Sequence, residues 1–250
     1  VSSLTEQFKR SIIVAEKNIK IYYLKGPVIL FGLVFPLFLA LAYVVGRDIP
    51  LKEFLPGLIG MTTFFTATSV GPSIVPWETR SKTLERLLCC PVSISTIIVG
   101  DVFSSFIFGL IISVIPLALT LVLGIQPLNF VVLFLGLLVA NLCFAALSVL
   151  LSAYPPTDVP ATAMMLSSLV KFPLVFISGI FIPVEQLPQW GRAIASISPL
   201  TYFTDMVRQL FLSRGFYPLA LDFLALVAFT AIFAFVAIKL HEKTLTERLS

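Results

Sequence analysis

The sequence predicts an all-α membrane protein with six transmembrane helices, and three observations carry that expectation. Residues 102–157 contain no Asp, Glu, Lys or Arg, a run of 56 residues. At about 1.5 Å rise per residue this run crosses a hydrocarbon layer of about 30 Å twice over. Second, Gly124-Ile125-Gln126-Pro127-Leu128-Asn129 in its middle is a turn-forming sequence that divides it into two helices. Third, charged residues make up 12% of the 250 residues against 58% hydrophobic, where soluble domains carry about 25% charged. A chain of this length and composition reads as a single domain over 1–250, with room for about six spans and almost no extramembrane domain.

The N-terminal segment, 1–25, comes first. Leu4, Phe8, Ile12, Ala15, Ile19 and Tyr22 recur at three- and four-residue spacing, while Glu6, Lys9, Arg10, Glu16, Lys17 and Lys20 lie mostly elsewhere. Such a helix lies in the membrane interface with its lysines near lipid phosphates; the plainer alternative is a cytoplasmic helix packed on the spans. The segment lacks the apolar core and small-residue cleavage site of a signal peptide.

The spans follow. The first is expected at about Val28–Val45, between Lys25-Gly26-Pro27 and Gly46-Arg47-Asp48. The second, about Phe54–Trp77, is uncharged but interrupted by Gly71-Pro72 and Pro76. The third and fourth are about Thr96–Leu123 and Phe130–Ala153. The fifth, about Val159–Ile182, holds Lys171, and the sixth is about Pro218–Ile238. Lys9, Arg10, Lys17, Lys20, Lys25, Arg80, Lys82, Arg86, Lys239, Lys243 and Arg248 fall on one side. Arg47, Lys52, Arg192, Arg208 and Arg214 fall on the other. Lys/Arg-rich loops stay cytoplasmic, so both termini of a multi-pass plasma-membrane protein are expected there.

Two connections are more than loops. In 78–93, Thr83 or Ser81 is expected to cap a short helix, Leu84, Leu87 and Leu88 form an apolar stripe with Glu85 and Arg86 off it, and Pro91 ends it. This amphipathic rod suits a groove on another protein, or is a solvated connector. Segment 183–217 is apolar but too interrupted to span. Two short helices fit, each after a proline, and Leu200, Phe203, Met206, Val207 and Leu210 give the second an apolar face. Trp190 and Tyr202 suit a membrane boundary. Irregular backbone at membrane depth must be buried in protein or wet, so a re-entrant pair in the outer leaflet is expected. In it, Asp205 and Arg208 are three apart and able to pair.

These segments carry a resemblance. Leu84-Glu85-Arg86-Leu87-Leu88-Cys89-Cys90-Pro91-Val92-Ser93 follows the second span. Ser178-Gly179-Ile180-Phe181-Ile182-Pro183, Leu187-Pro188-Gln189-Trp190, Ser198-Pro199-Leu200-Thr201-Tyr202 and Asp205-Met206-Val207-Arg208 follow the fifth. In order and spacing the chain resembles the permease subunits of type-2 ATP-binding-cassette exporters, daunorubicin-resistance-like permeases among them. Ser81-Lys82, where that family often has glycine, and Cys90, where it often has threonine, are departures that bear on the identity of the ATPase. The resemblance implies that the rod is a coupling helix, that two permease copies pair, and that separate ATPase subunits bind the ATP and Mg and drive export. It also implies a path lined by the second and fifth spans. Thr62, Thr63, Thr66, Thr68, Ser69, Phe64 and Phe65 in the second, with Ser167, Ser168, Phe172 and Phe176 in the fifth, suit an amphipathic drug or lipid. Helix packing by Ser and Thr is the equal alternative.

The chemistry not expected is as specific. The chain has no Gly-Lys dipeptide, hence no phosphate loop and no ATPase of its own. A single histidine, His241, rules out a His-Glu-x-x-His zinc site, and adjacent Cys89-Cys90 with Cys143 in a span suggest neither a metal site nor a disulfide framework. No cofactor and no nucleic acid are expected. An ion-gradient-driven secondary transporter is the competing function, but such proteins show paired intramembrane charges and internal repeats. Here only Lys171, about 16 Å into its span, and Asp101 are inside. They are expected either to pair, tying the third span to the fifth, or to leave Lys171 facing a wet path. Leu84, Glu85, Arg86, Leu87, Leu88 and Pro91 for coupling, Lys171, Asp101, Thr66 and Phe172 for the path, and Trp190, Pro199, Tyr202, Asp205 and Arg208 for an outer gate are the candidate residues.

Overall fold

The computed structural model describes residues 4–25, 28, 30–45 and 50–249. Among them the regular structure is entirely helical. Helix α1 (Leu4–Asn18) continues as a π-helical turn, Ile19–Tyr23. A second π-helical turn, Leu30–Val34, runs into α2 (Phe35–Val44). Then come α3 (Leu51–Ala67), α4 (Gly71–Arg80), α5 (Thr83–Leu88), α6 (Ile94–Val122) and α7 (Phe130–Ala153). The chain closes with α8 (Pro160–Ile177), α9 (Gln189–Ala195), α10 (Pro199–Leu212) and α11 (Leu219–Leu249).

Among the described residues, five segments are long and apolar enough to cross a membrane: Lys52–Arg80, Ile94–Val122, Phe130–Ala153, Pro160–Ile177 and Leu219–Leu245. The continuously described part of the first expected span is shorter. Leu30–Val44 rises about 22 Å, short of the roughly 30 Å hydrocarbon layer, and its expected boundaries at Gly26-Pro27 and Gly46-Arg47-Asp48 lie outside the described residues. The fifth span also ends sooner than expected, at Ile177, because Gly179 turns the chain with φ +77°, a left-handed conformation that closes a helix and that L side chains rarely adopt. The sixth is longer: α11 runs eleven residues past Ile238.

The local signals explain most ends. Asn129 Oδ1 accepts from the N–H groups of Val131 and Val132 and starts α7. Ser93 Oγ accepts from Thr96 N and starts α6. The second span breaks at Thr68-Ser69-Val70, just ahead of Gly71-Pro72. The expected cap of the rod is absent. Lys82, in the left-handed region at φ 55°, precedes α5, and Thr83 Oγ1 donates instead to the Glu78 carbonyl at 3.2 Å.

Packing places α3 and α10 at the centre. Their residues Leu55, Ile59, Phe64, Leu200, Phe203 and Met206 form one cluster with Leu133, Leu137 and Phe144 of α7. The outer faces of α6, α8 and α11 remain apolar and exposed, Ile111, Leu169 and Leu224 among them, as lipid-facing helices are.

Candidate functional site

At one end of the bundle, α1 lies against α6 through small and polar residues. A Cβ on Gly100 would stand 2.7 Å from Val14 and 2.8 Å from the Ser11 carbonyl, so only glycine allows this approach. Gln7 accepts from Thr96 Oγ1, and Ser11 Oγ donates to the Thr96 carbonyl at 3.1 Å. Asn18 Nδ2 donates to Asp101 Oδ1 at 2.6 Å. Ser105 Oγ gives its proton to the Asp101 carbonyl, so the Tyr23 hydroxyl, 2.6 Å away, donates to Ser105. Burial pushes the Tyr23 phenol above its ordinary pKa, which keeps it a neutral donor. The buried stripe is therefore Ser11, Val14, Ala15 and Asn18, while Phe8 and Ile12 of the expected apolar face stay exposed.

The same helix holds both ends of the 78–93 loop. Lys17 forms an ion pair with Glu78, and Arg10 donates to the Pro91 carbonyl. Glu78, at 1% exposure, was not singled out in the sequence; its signal was a carboxylate ending an otherwise apolar span. Between these anchors α5 is one and a half turns long. Leu84 is buried within this chain, so it is not available to a partner as the leucine stripe suggested. Leu87 and Leu88 are half-buried, and Glu85, Arg86, Cys89, Cys90 and Pro91 face outward. The short helix uses its first leucine to hold itself against its own protein.

Lys171 and Asp101 do not pair. Lys171 Nζ donates to the Thr68 carbonyl at 3.2 Å, while Asp101 is taken by Asn18. Thr68 closes α3, and its carbonyl is one that the break in the second span frees from the helix ladder. The lysine is thus 5% exposed and bound to a helix end, not open to a path. The second-span threonines also face inward. Thr66 Oγ1 donates to the Thr62 carbonyl at 2.6 Å, Thr68 Oγ1 to that of Phe64 at 2.7 Å, and all four threonines are at 0% exposure. Phe172 is half-exposed and meets Phe35 and Phe65 edge-on or tilted.

At the opposite end, the expected Asp205–Arg208 pair is replaced by two separate anchors, and both residues are buried rather than surface-exposed. Asp205 accepts from the backbone N–H groups of Phe216 and Tyr217 at 2.9–3.0 Å. Arg208 donates to the Gly179 carbonyl at 3.1 Å. The physical reason is the backbone. A tight chain reversal leaves N–H and C=O groups unsatisfied in a buried place, and these charged side chains satisfy them. Burial pulls the Arg208 pKa down, and Asp205, Glu185 and Glu53 oppose that. Gln209 Nε2 bridges Asp205 and the buried Asp222, a residue the sequence reading passed over. The Tyr202 hydroxyl donates to the Ser196 carbonyl and Pro199 is buried at the start of α10, so only Trp190, 71% exposed, stands clear of the core. A cleft of about 190 Å³ between Tyr43, Glu53, Phe181 and Arg208 opens beside them.

The fold and these two anchored ends define a multi-pass helical membrane protein with a short amphipathic helix off one end. Residues 11–212 match the model of the ABC-2 type transporter family, and the chain belongs to that family, a transport permease component. It is 25% identical over 190 residues to the inner membrane transport permease YadH of Escherichia coli K12, covering 76% of this chain and 73% of that protein. It is 25% identical over 160 residues to the probable multidrug ABC transporter permease YbhR of the same organism, covering 63% of this chain and 43% of that one. With the putative transport permease ycf38 of Cyanophora paradoxa it shares 29% identity over 169 residues, 64% of this chain and 56% of the relative. The chain thus spans less than half the length of YbhR.

Proposed function

We propose that this chain is the membrane subunit of an ATP-driven exporter. Its helices cross the plasma membrane six times with both termini cytoplasmic, and it pairs with a second permease copy. A separate ATPase subunit binds ATP and Mg and docks at 78–93. The observation that supports this most is the double anchoring of that loop to α1 by Lys17–Glu78 and Arg10–Pro91. A loop held at both ends transmits a push to α1 and α6 instead of flexing. The docking face is the outward one, Glu85, Arg86 and Cys89-Cys90-Pro91, with Leu87 and Leu88 at its edge. On this reading α1 lies in the inner interface with Phe8 and Ile12 toward lipid, and α9–α10 dip into the outer leaflet. Drugs or lipids of amphipathic character are the substrate class, in keeping with the apolar exposed faces of α6 and α8.

The test is co-purification with the partner ATPase and substrate-stimulated ATP hydrolysis in the reconstituted pair. Glu85→Arg with Arg86→Glu, and separately Leu87→Asp with Leu88→Asp, are expected to lose the ATPase while the permease still inserts. Undiminished co-purification of both double variants would overturn the docking face.

A further inference from the structure

A cavity of about 630 Å³ lies between the π-helical end of α1, the side of α4 and the start of α8, within the size range of small-molecule sites. Its inner wall is apolar. Val28, Val70 and Met164 line it, and the hydroxyls of Ser69 and Ser73 there are spent on their own helix, donating to the carbonyls of Thr66 and Val70 at 2.8 Å. Nearer the Arg80 end of α4, which we take as its mouth, Trp77 lines it together with Tyr22, and Lys25 is the one charged residue among the described residues that line it; no carboxylate does. The nearest acid in sequence, Glu78, is held by Lys17. From Gly71 to Trp77 the wall rises about 9 Å, enough to take several methylenes of a chain.

We propose that this cavity binds a membrane amphiphile with an anionic headgroup, drawn from the cytoplasmic leaflet, its headgroup at Lys25 and its chain along Val70 and Met164. The charge complementarity is one-sided: Lys25 attracts the phosphate of any headgroup, but no carboxylate there offsets the ammonium of a cationic or zwitterionic one. The boundary-type rings of Tyr22 and Trp77 set the depth at which the headgroup stops. The inference rests on reading these helices as membrane spans with the α1 end cytoplasmic, and it names the substrate class of that reading.

The chain has two tryptophans, so Trp190→Phe leaves Trp77 as a reporter at the mouth. The full chain with that change, in nanodiscs, is titrated with phosphatidylglycerol brominated in mid-chain, and in parallel with phosphatidylcholine carrying the same chain. Trp77 quenching should favour phosphatidylglycerol by about fivefold in effective affinity, the worth of one lysine near an anionic headgroup. Lys25→Gln should erase the preference and Lys25→Arg should keep it. Lys20→Gln, a charge on the π-helical turn after α1, outside the cavity and paired with Glu16, should keep it too. Equal quenching by both lipids overturns the proposal, and so does a preference that survives Lys25→Gln or that Lys20→Gln removes equally well. Because the readout needs no ATPase, loss of ATPase docking with an intact headgroup preference would count against the exporter reading alone.

Discussion

Three buried charges in this protein are spent on backbone groups that the turns leave open. Lys171 serves the end of α3, Arg208 the Gly179 turn, and Asp205 the chain reversal at Phe216–Tyr217. Such groups cost about 1–3 kcal/mol each when left without a partner. Asp205→Ala is therefore expected to destabilise the protein by that amount and to open the Ser213–Tyr217 reversal, read as faster amide exchange at Phe216 and Tyr217. Asp205→Asn, which keeps one acceptor oxygen, should lose less. Lys171 and Asp101 share no partner, so Lys171→Ala and Asp101→Ala should destabilise additively, within about 0.5 kcal/mol. A thermal-unfolding double-mutant cycle in detergent checks this; a coupling well above that value would restore the direct pair.

For the elements, the contact between α1 and α6 depends on the absence of a side chain at Gly100. Gly100→Leu forces the two helices apart and breaks the Ser11, Asn18 and Tyr23 bonds together, with the span itself left intact. In a background lacking Cys89 and Cys90, Ser11→Cys should resist maleimide labelling, since Ser11 is 3% exposed. The added Gly100→Leu should make it reactive. If the thiol stays protected, α1 is held by the Lys17–Glu78 ion pair and the Arg10–Pro91 bond rather than by this groove. By comparison α10, expected as half of a re-entrant pair in the outer leaflet, is buried over nearly its whole length against α3, α7 and α11. It is a core element whose removal should unfold the outer half of the bundle.

Across the whole molecule, the two ends of the bundle differ in what they hold. One end carries α1, Glu78, α5 and the Ser152–His241 contact; the other carries Glu53, Asp205, Arg208 and Asp222. The excess of Lys and Arg belongs to the first. A cysteine at Gln189, which is exposed, should be labelled by an impermeant reagent added outside intact cells. One at Lys243, also exposed, should be labelled only after permeabilisation. Labelling of Gln189→Cys from the cytoplasmic side alone reverses the assignment of the ends.

The sequence by itself determined the helical membrane class, the break in the second span, the turn that separates α6 from α7 and the short helix before Pro91. Each of these follows from local composition or from residues within one turn of one another. The four-residue rhythm of Gln7, Ser11 and, further on, Asn18 was also there to be read, but the apolar set Leu4, Phe8 and Ile12 gave the stronger periodicity and hid the polar stripe that α1 packs on α6. Partner choice was decided only by tertiary structure. Lysine, aspartate and arginine each had an oppositely charged residue nearby along the chain or at matching depth. Yet the groups they reached were carbonyls and amides exposed by turns that other helices enclose. A buried charge goes to whichever unsatisfied group lies within a hydrogen bond of it, and that neighbour is fixed by how distant segments pack, not by spacing along one helix.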